Sequence, residues 1–389
     1  MSRVVRDGVG RKGGERGAVG EDQGAAVKKG WQRKHIGDLC EVIAGQSPEG
    51  KFYNTDGKGM PFYQGKKGFG EKFVEDPTTW TTQTTKVARE GDILMSVRAP
   101  VGPVNFATEE ICIGRGLAAI RTKAELNRDF LFYQLLHLQP EIAGKEGAVF
   151  ASINKSEIEA LPVAFAPLPE QQRIVGILDE AFEGIATAKA NAEKNLQNAR
   201  ALFESHLQSV FTQRGAGWVE KRLVEACVLQ RGFDLPTRSR TSGDFPLVSS
   251  SGIIDNHNEG PVKGPGVATG RSGSIGNVFY IEEDYWPLNT VLYVKEFYDN
   301  NPKFIYRLLS HFDFKRFATG AGVPTLNRNF VHDKPVVIPE SNKTQQEIAE
   351  QLDALEEETK RLESLYQRKL DALEALKKSL LHRAFSGEL

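Results

Sequence analysis

Cysteine is nearly absent, with Cys40, Cys112 and Cys227 as its only occurrences in 389 residues. They stand far apart, in neither CxxC nor Cys/His ligand spacing. That excludes a disulfide framework and a zinc site, and it points to a reducing cytoplasm. The seven histidines form no HxxxH pair, so no metal site is expected. Long apolar runs are missing as well. No stretch reaches the ~18–20 residues that a membrane span requires, and no hydrophobic signal core opens the chain. An excess of charge of one sign is also missing: 50 Lys and Arg stand against 51 Asp and Glu. Residues 31–168 carry 16 basic and 17 acidic side chains, and residues 215–343 carry 15 and 14. A nucleic acid would have to be held by local clusters of Lys and Arg rather than by the chain average.

What is present begins with a Gly-rich leader. Residues 1–30 hold eight glycines and seven Lys or Arg without apolar periodicity, which reads as a disordered segment. Next comes "GQSPEGKF" at 45–52, a near match to the phosphate-cradling GxxxxGK[ST], but Phe52 stands at the Ser/Thr place. The turn-rich "FYNTDGKGMP" follows where that motif needs a helix. "NPKF" at 301–304 approaches the NPPF/Y of adenine methyltransferases with Lys303 in place of a proline. No catalytic constellation emerges.

The chain is written twice. "WQRKHIGDLCEVIAG" at 31–45 returns as "WVEKRLVEACVLQRG" at 218–232, an offset of 187. "NRDFLFYQLL" at 127–136, "EQQRIVGILDEA" at 170–181 and "LFESHLQSVF" at 202–211 return at an offset of 174 as "NPKFIYRLLS", "TQQEIAEQLDAL" and "LKKSLLHRAF". Each copy opens with short apolar segments punctuated by glycine and proline, such as "DILMSV", "LAAIRT", "VFYIEEDYW" and "TVLYVKEF", which read as strands and tight turns. A short helix follows, N-capped by Asn127 or Asn301. A long helix closes each copy, at about 170–213 and 345–385, with Pro169 in the first turn of one and a Thr344/Glu347 capping box on the other.

Apolar positions in both long helices recur at alternating three- and four-residue steps, the period of a coiled-coil seam. The first helix offers Ile174, Leu178, Ala181, Ala188 and Leu196 among its seam residues; the second offers Ile348, Leu352, Leu355, Leu362, Leu370 and Leu373. A small-residue seam fits a bulky one, so the two helices are expected to pair with each other.

With these blocks in place, residues 31–389 resemble the specificity subunit of a type I restriction-modification system. The resemblance rests on "GDILMSVRAPVGPVNFATEEICIGRGLAAI" at 91–120, "FASINKSEIEALPVAFAPLPEQQRI" at 150–174, "GRSGSIGNV" at 270–278 and the ending "LLHRAFSGEL". It implies an α+β chain in which two similar α/β target recognition domains are joined by two long antiparallel coiled-coil helices with a pseudo-twofold. The expected division is a leader at 1–30, recognition domains at 31–168 and 215–343, and long helices at 169–214 and 344–389. The resemblance further implies binding of double-stranded DNA at a bipartite site, docking of two modification (adenine methyltransferase) subunits, and docking of restriction (motor-nuclease) subunits. The chain itself would catalyse nothing and bind no cofactor; S-adenosylmethionine, ATP and Mg2+ would sit on the partner subunits. The competing reading is a duplicated coiled-coil scaffold that bridges proteins without reading DNA.

The duplication also sorts candidate DNA contacts. Residues kept in both copies cannot distinguish unlike half-sites, whereas divergent residues in matching loops can. Arg98 and Arg271 occupy nearly matching places and are candidates for a shared backbone contact. Gln64, Lys66 and Lys67 in one loop, and Ser250, Asn256 and His257 in the other, offer different donors to base edges. Arg115 and Asn289 match in position but differ in chemistry, and Arg240 joins the second set.

Overall fold

The computed structural model describes residues 30–143, 152–212, 215–320, 322 and 324–389. The predicted leader, apart from Gly30, lies outside the described residues. Two compact units emerge: one gathers the chain up to Thr187 with Leu373–Leu389, and the other is Ala188–Ala372.

In the first unit an antiparallel sheet has the order Cys40–Ala44, Leu117–Thr122, Ile93–Ser96, Val104–Phe106. Strand side chains alternate faces, and both faces are covered. Val42, Ile93, Met95, Ala118 and Ile120 pack with Phe130, Leu131 and Leu135 of the helix Arg128–Ile142. Leu94, Leu117 and Ala119 pack instead with Tyr63, Ile111 and Ile113 of a second, smaller sheet. Burial on both faces explains why these strands read as near-continuous apolar runs.

The second unit repeats the plan. Its main sheet has the order Val228–Arg231, Val291–Glu296, Gly266–Gly270, Val278–Ile281. Leu229, Val267, Leu292 and Val294 face the helix Pro302–His311, while Ala268, Val291 and Tyr293 face the other way and pack with Val248. In both units a parallel pair forms the root of the second sheet: Met60–Tyr63 with Ile111–Ile113, and Phe245–Ser249 with Trp286–Pro287. The extra length of the first copy falls within this sheet, which has five strands in the first unit and three in the second.

Asn127 caps its helix by accepting from the Asp129 and Phe130 amides, and Asn301 does so from Phe304. The long helices run Leu168–Thr212 and Asn342–Ser386. The second begins earlier than predicted. Ser341, rather than Thr344, stands at its start: its hydroxyl accepts from the Thr344 amide and its carbonyl from the Gln345 amide.

The duplicated glutamine at each helix start has a structural task. Gln171 and Gln345 are buried. Gln171 Oε1 accepts from the Asn127 amide at 2.7 Å, while its Nε2 donates to the Ala166 and Glu125 carbonyls at 2.7 and 3.1 Å. Gln345 repeats this with the Asn301 amide at 2.9 Å, the Pro339 carbonyl at 2.8 Å and Asn300 Oδ1 at 2.7 Å. Each glutamine therefore staples the long helix to the cap of the short one. Gln345→Leu strands several buried polar groups, and a loss of about 2–4 kcal/mol is expected, since each unsatisfied group costs ~1–3 kcal/mol. Chemical denaturation checks this; Gln346→Leu, on an exposed neighbour, should leave the transition in place.

In each unit, segments of the two long helices meet, and in the first they run antiparallel. In the first, Ile174 and Leu178 share a core with Leu381 and Ala384, and the Lys377 ammonium lies 5.0 Å from the centre of the Phe182 ring. In the second, Arg200 pairs with Glu363 at 3.0 Å. Along the predicted seam, Ile174, Leu178 and Leu352 are buried, and Ala181, Ala188, Leu196, Ile348, Leu355, Leu362, Leu370 and Leu373 are partly buried.

Candidate nucleic-acid interface

The exits of the parallel strands carry the divergent loops. The Tyr63 carbonyl accepts from Gly114 N, and the Val248 carbonyl from Leu288 N, both at 2.8 Å. This equivalence sets Gln64 against Ser249 where the two strands end. In the first unit Arg115 sits on a turn between two glycines. A Cβ on Gly116 would lie 2.2 Å from the Gln64 carbonyl oxygen, and one on Gly114 would lie 3.0 Å from Ser47 Oγ. Only glycine allows that approach, and it brings Ser47, Gln64 and Arg115 together, with Arg115 N donating to Ser47 Oγ at 3.1 Å. Gln64, Lys66, Lys67 and Arg115 are all exposed. Gln64 and Lys67 line a cleft of about 510 Å3 together with Glu75 and Asp76. Beneath it, burial and the charges of Glu109, Asp76 and Glu75 push the Tyr63 phenol up to about 12. The phenol stays protonated and donates to the Glu75 carbonyl at 2.6 Å.

The second unit assembles a different set at the same place. Ser250 N donates to Thr290 Oγ1 at 3.3 Å, and Arg271 N donates to the Thr290 carbonyl at 2.8 Å. The Arg271 guanidinium reaches the Asn289 carbonyl at 3.4 Å. The Asn289 amide group donates to Asp234, which also pairs with Arg231 at 2.9 Å. Ser250, Arg271 and Asn289 are thus brought together, all partly buried.

Arg98 and Arg271 are one residue out of register. Ile153 N donates to the Val97 carbonyl, whereas the matching Leu326 N donates to the Arg271 carbonyl. The isolated bridges agree, pairing Arg98 with Ser152 and Ser272 with Thr325. Val97, not Arg98, is the counterpart of Arg271.

Other candidates lie apart from this group. Asn256 is exposed on the strand Gly252–His257. His257 is buried at 4% exposure. Its Nδ1 is occupied by the Thr241 backbone at about 3 Å, and its ring meets Trp286 edge-on. It is a packing residue, not an accessible base reader. Arg240 is partly buried at the end of the turn Thr237–Ser239.

The near-match at 45–52 is also resolved. Gly45 ends the strand Cys40–Ala44, and a Cβ there would lie 2.2 Å from the Gly114 carbonyl oxygen; Gly232 repeats this against Leu288. Gly50–Phe52 is a single 3-10 turn, and Lys51 pairs with Glu49 at 2.7 Å. The glycine serves strand packing, and no helix N-terminus is present to face a phosphate. Burial pushes the Cys40 and Cys227 thiols up to about 12, which removes them as nucleophiles. Among the described residues, no helix is long and apolar enough to cross a membrane.

Sequence reasoning passed over Ser47, Arg231, Asp234 and Arg328, which structure places around these loops. Arg328 was within reach: "SINK" at 152–155 and "TLNR" at 325–328 are a duplicated block.

A family model described as the type I restriction modification DNA specificity domain matches twice, over residues 28–197 and 216–371. A protein of Methanocaldococcus jannaschii that carries the name type I restriction enzyme MjaX specificity subunit is 37% identical over 178 residues, 45% of this chain and 41% of that protein. The MjaIX specificity subunit of the same organism is 23% identical over 54% of this chain and 55% of its own length. The chain therefore matches about half the length of these two relatives. Among solved structures, a chain from a type I R-M system is similar with a TM-score of 0.77 at 15% identity, covering 94% of this chain and 100% of that one. The HsdS subunit from Thermoanaerobacter tengcongensis is similar with a TM-score of 0.61, also at 15% identity, covering 93% and 98%.

Proposed function

The chain belongs to the type I restriction modification DNA specificity domain family, and from that premise we propose that its halves read the two parts of a bipartite site in duplex DNA. The observation that carries this reading is a repeated scaffold presenting unlike loops at the same strand exits. A common frame with different donors suits two unlike half-sites. Gln64, Lys66, Lys67 and Arg115 read one; Ser250, Asn256 and Asn289 read the other; Arg98 and Arg271 hold the backbone. Two modification subunits and the restriction subunits dock on the long helices. Those subunits bring S-adenosylmethionine, ATP and Mg2+, so this chain contributes recognition and no catalytic group. The assembly works in the cytoplasm.

A scaffold without DNA readout leaves unexplained why both halves match a DNA specificity domain. The test is a salt titration of duplex binding by the chain reconstituted with its modification subunit, using the site defined by methylation sequencing with and without the gene. Affinity should fall steeply with salt, with a log–log slope of about −0.9 per phosphate contacted, and should exceed that for unrelated duplex by about 10³-fold or more. Equal affinity for both duplexes would falsify the proposal.

A further inference from the structure

The second unit holds a cleft of about 680 Å3 on which Arg231, Arg271 and Arg328 converge with Thr319, Thr325 and Asn327. Among the described residues, no carboxylate lines it. Arg328 is set in place by donating to the Leu229 carbonyl at 3.3 Å. It follows Asn327, whose side chain caps the short helix Arg328–His332. Arg231 is held by Asp234 at 2.9 Å, whereas among the described residues no carboxylate pairs with Arg271 or Arg328. These two guanidiniums beside hydroxyl and amide groups give the cleft its positive field, which suits a tetrahedral oxyanion.

The duplicate region of the first unit is built differently. Hydrogen-bond register sets Val97 against Arg271, and the offset of the opening block sets Ala44 against Arg231. Lys155 stands where the second unit has Arg328, but it pairs with Glu159 at 3.5 Å. The position of Glu159 is taken in the second unit by His332, whose Nε2 accepts from Leu229 N at 3.1 Å. At this position the first half thus neutralises Lys155, whereas beside Arg328 the neutralising acid is replaced by a hydrogen-bond acceptor that carries no negative charge.

We propose that Arg271 and Arg328, in the cleft that Arg231 edges, form a DNA backbone-phosphate clamp with no equivalent at the same place in the first half, so that the two halves grip their half-sites unequally. This rests on the DNA-reading function above. It goes further by assigning anchoring to Arg328, just after the strand Thr325–Leu326, and by making it asymmetric.

The test compares the wild-type chain with Arg271→Ala/Arg328→Ala and Arg271→Lys/Arg328→Lys, each purified with the modification subunit, on cognate and unrelated duplex across a salt series. The alanine pair should lower affinity for both duplexes about 10- to 100-fold and reduce the salt slope by about 2, one unit per lost phosphate contact. The methylated motif should not change, and the lysine pair should keep most of the slope. Lys155→Ala should leave the slope within about 0.5 of wild type. An unchanged slope in the alanine pair overturns the clamp while leaving DNA reading intact. So does relaxed preference at a single base pair, which would make these residues base readers. Thermal stabilisation of wild type by inorganic phosphate with no change of DNA slope in the variant reassigns the cleft to a free anion and overturns it too. Failure of the wild-type complex to prefer its cognate duplex defeats the underlying reading instead.

Discussion

Replacing residues 46–116 with the equivalent stretch of another family member moves the methylated motif at one half-site and leaves the other half-site as it was. The junctions suit the exchange. Gly45 N donates to the Leu117 carbonyl at 2.9 Å, so the cassette begins and ends at adjacent points on the main sheet. It carries the whole second sheet and the Gln64, Lys66, Lys67 and Arg115 loops. It leaves in place the opening strand Cys40–Ala44, the strand Leu117–Thr122 and the helix Arg128–Ile142. Each wrong base pair typically costs ~1–3 kcal/mol, so three rewritten pairs shift preference by roughly 10²-fold or far more. Methylation sequencing of a host carrying the hybrid reads this directly. New sequence at both half-sites, or at neither, contradicts the assignment of one reader to each half.

The duplication was legible because both copies keep the groups that build the frame. Asn127 and Asn301, Gln171 and Gln345, and Gly45 and Gly232 meet the same backbone atoms in each unit. The burial of Ile174, Leu178 and Leu352 was legible for a simpler reason: helical period alone decides which side chains can face a neighbour. Side-chain exposure was not legible. His257 looks like a loop donor in "IIDNHNEG" but lies against Trp286, a residue about thirty positions away in sequence. Nor was register. The offset between copies is 187 at Gly45/Gly232, 185 at Tyr63/Val248 and 174 at Ser96/Gly270, and a one-residue error on a strand reverses the face. That error paired Arg98 with Arg271.

Electrostatic rewiring between the copies was hidden for the same reason, and it yields the largest stability difference expected. Asp179 and Asp353 are equivalent residues on the long helices, and each faces a short helix of its own unit. In the first unit Asp179 accepts from the Tyr133 hydroxyl at 2.5 Å and pairs with Lys72 at 3.0 Å; Lys72 also holds Asp129 at 3.0 Å. In the second unit Arg307 replaces Tyr133, and Lys303 replaces Asp129. Arg307, only 5% exposed, donates to Asp353 at 2.5 Å and to Glu356 at 2.6 Å, and Lys303 adds a contact to Asp353 at 3.1 Å. Arg307 is nearly buried, whereas Lys72 is 28% exposed and keeps Asp129 when Asp179 is removed, so the charge left behind in the second unit costs more. Asp353→Ala is therefore expected to destabilise the second unit by about 3–5 kcal/mol, and Asp179→Ala the first by only about 1–2 kcal/mol. Hydrogen exchange along Pro302–His311 and Arg128–Ile142 separates the two. Equal loss of protection in both helices would remove the distinction. Acid should act on the same site. Burial raises the Glu356 pKa, but Lys360 and Arg307 outweigh it and hold it below the usual carboxylate value of 4.5. A depressed carboxylate stabilises the fold above its unfolded pKa and loses that stability as pH falls through the folded one. As pH falls below 4.5 and on through the lower folded pKa, the wild-type second unit should therefore approach the behaviour of Glu356→Gln, because the carboxylate charge beside Arg307 is progressively lost.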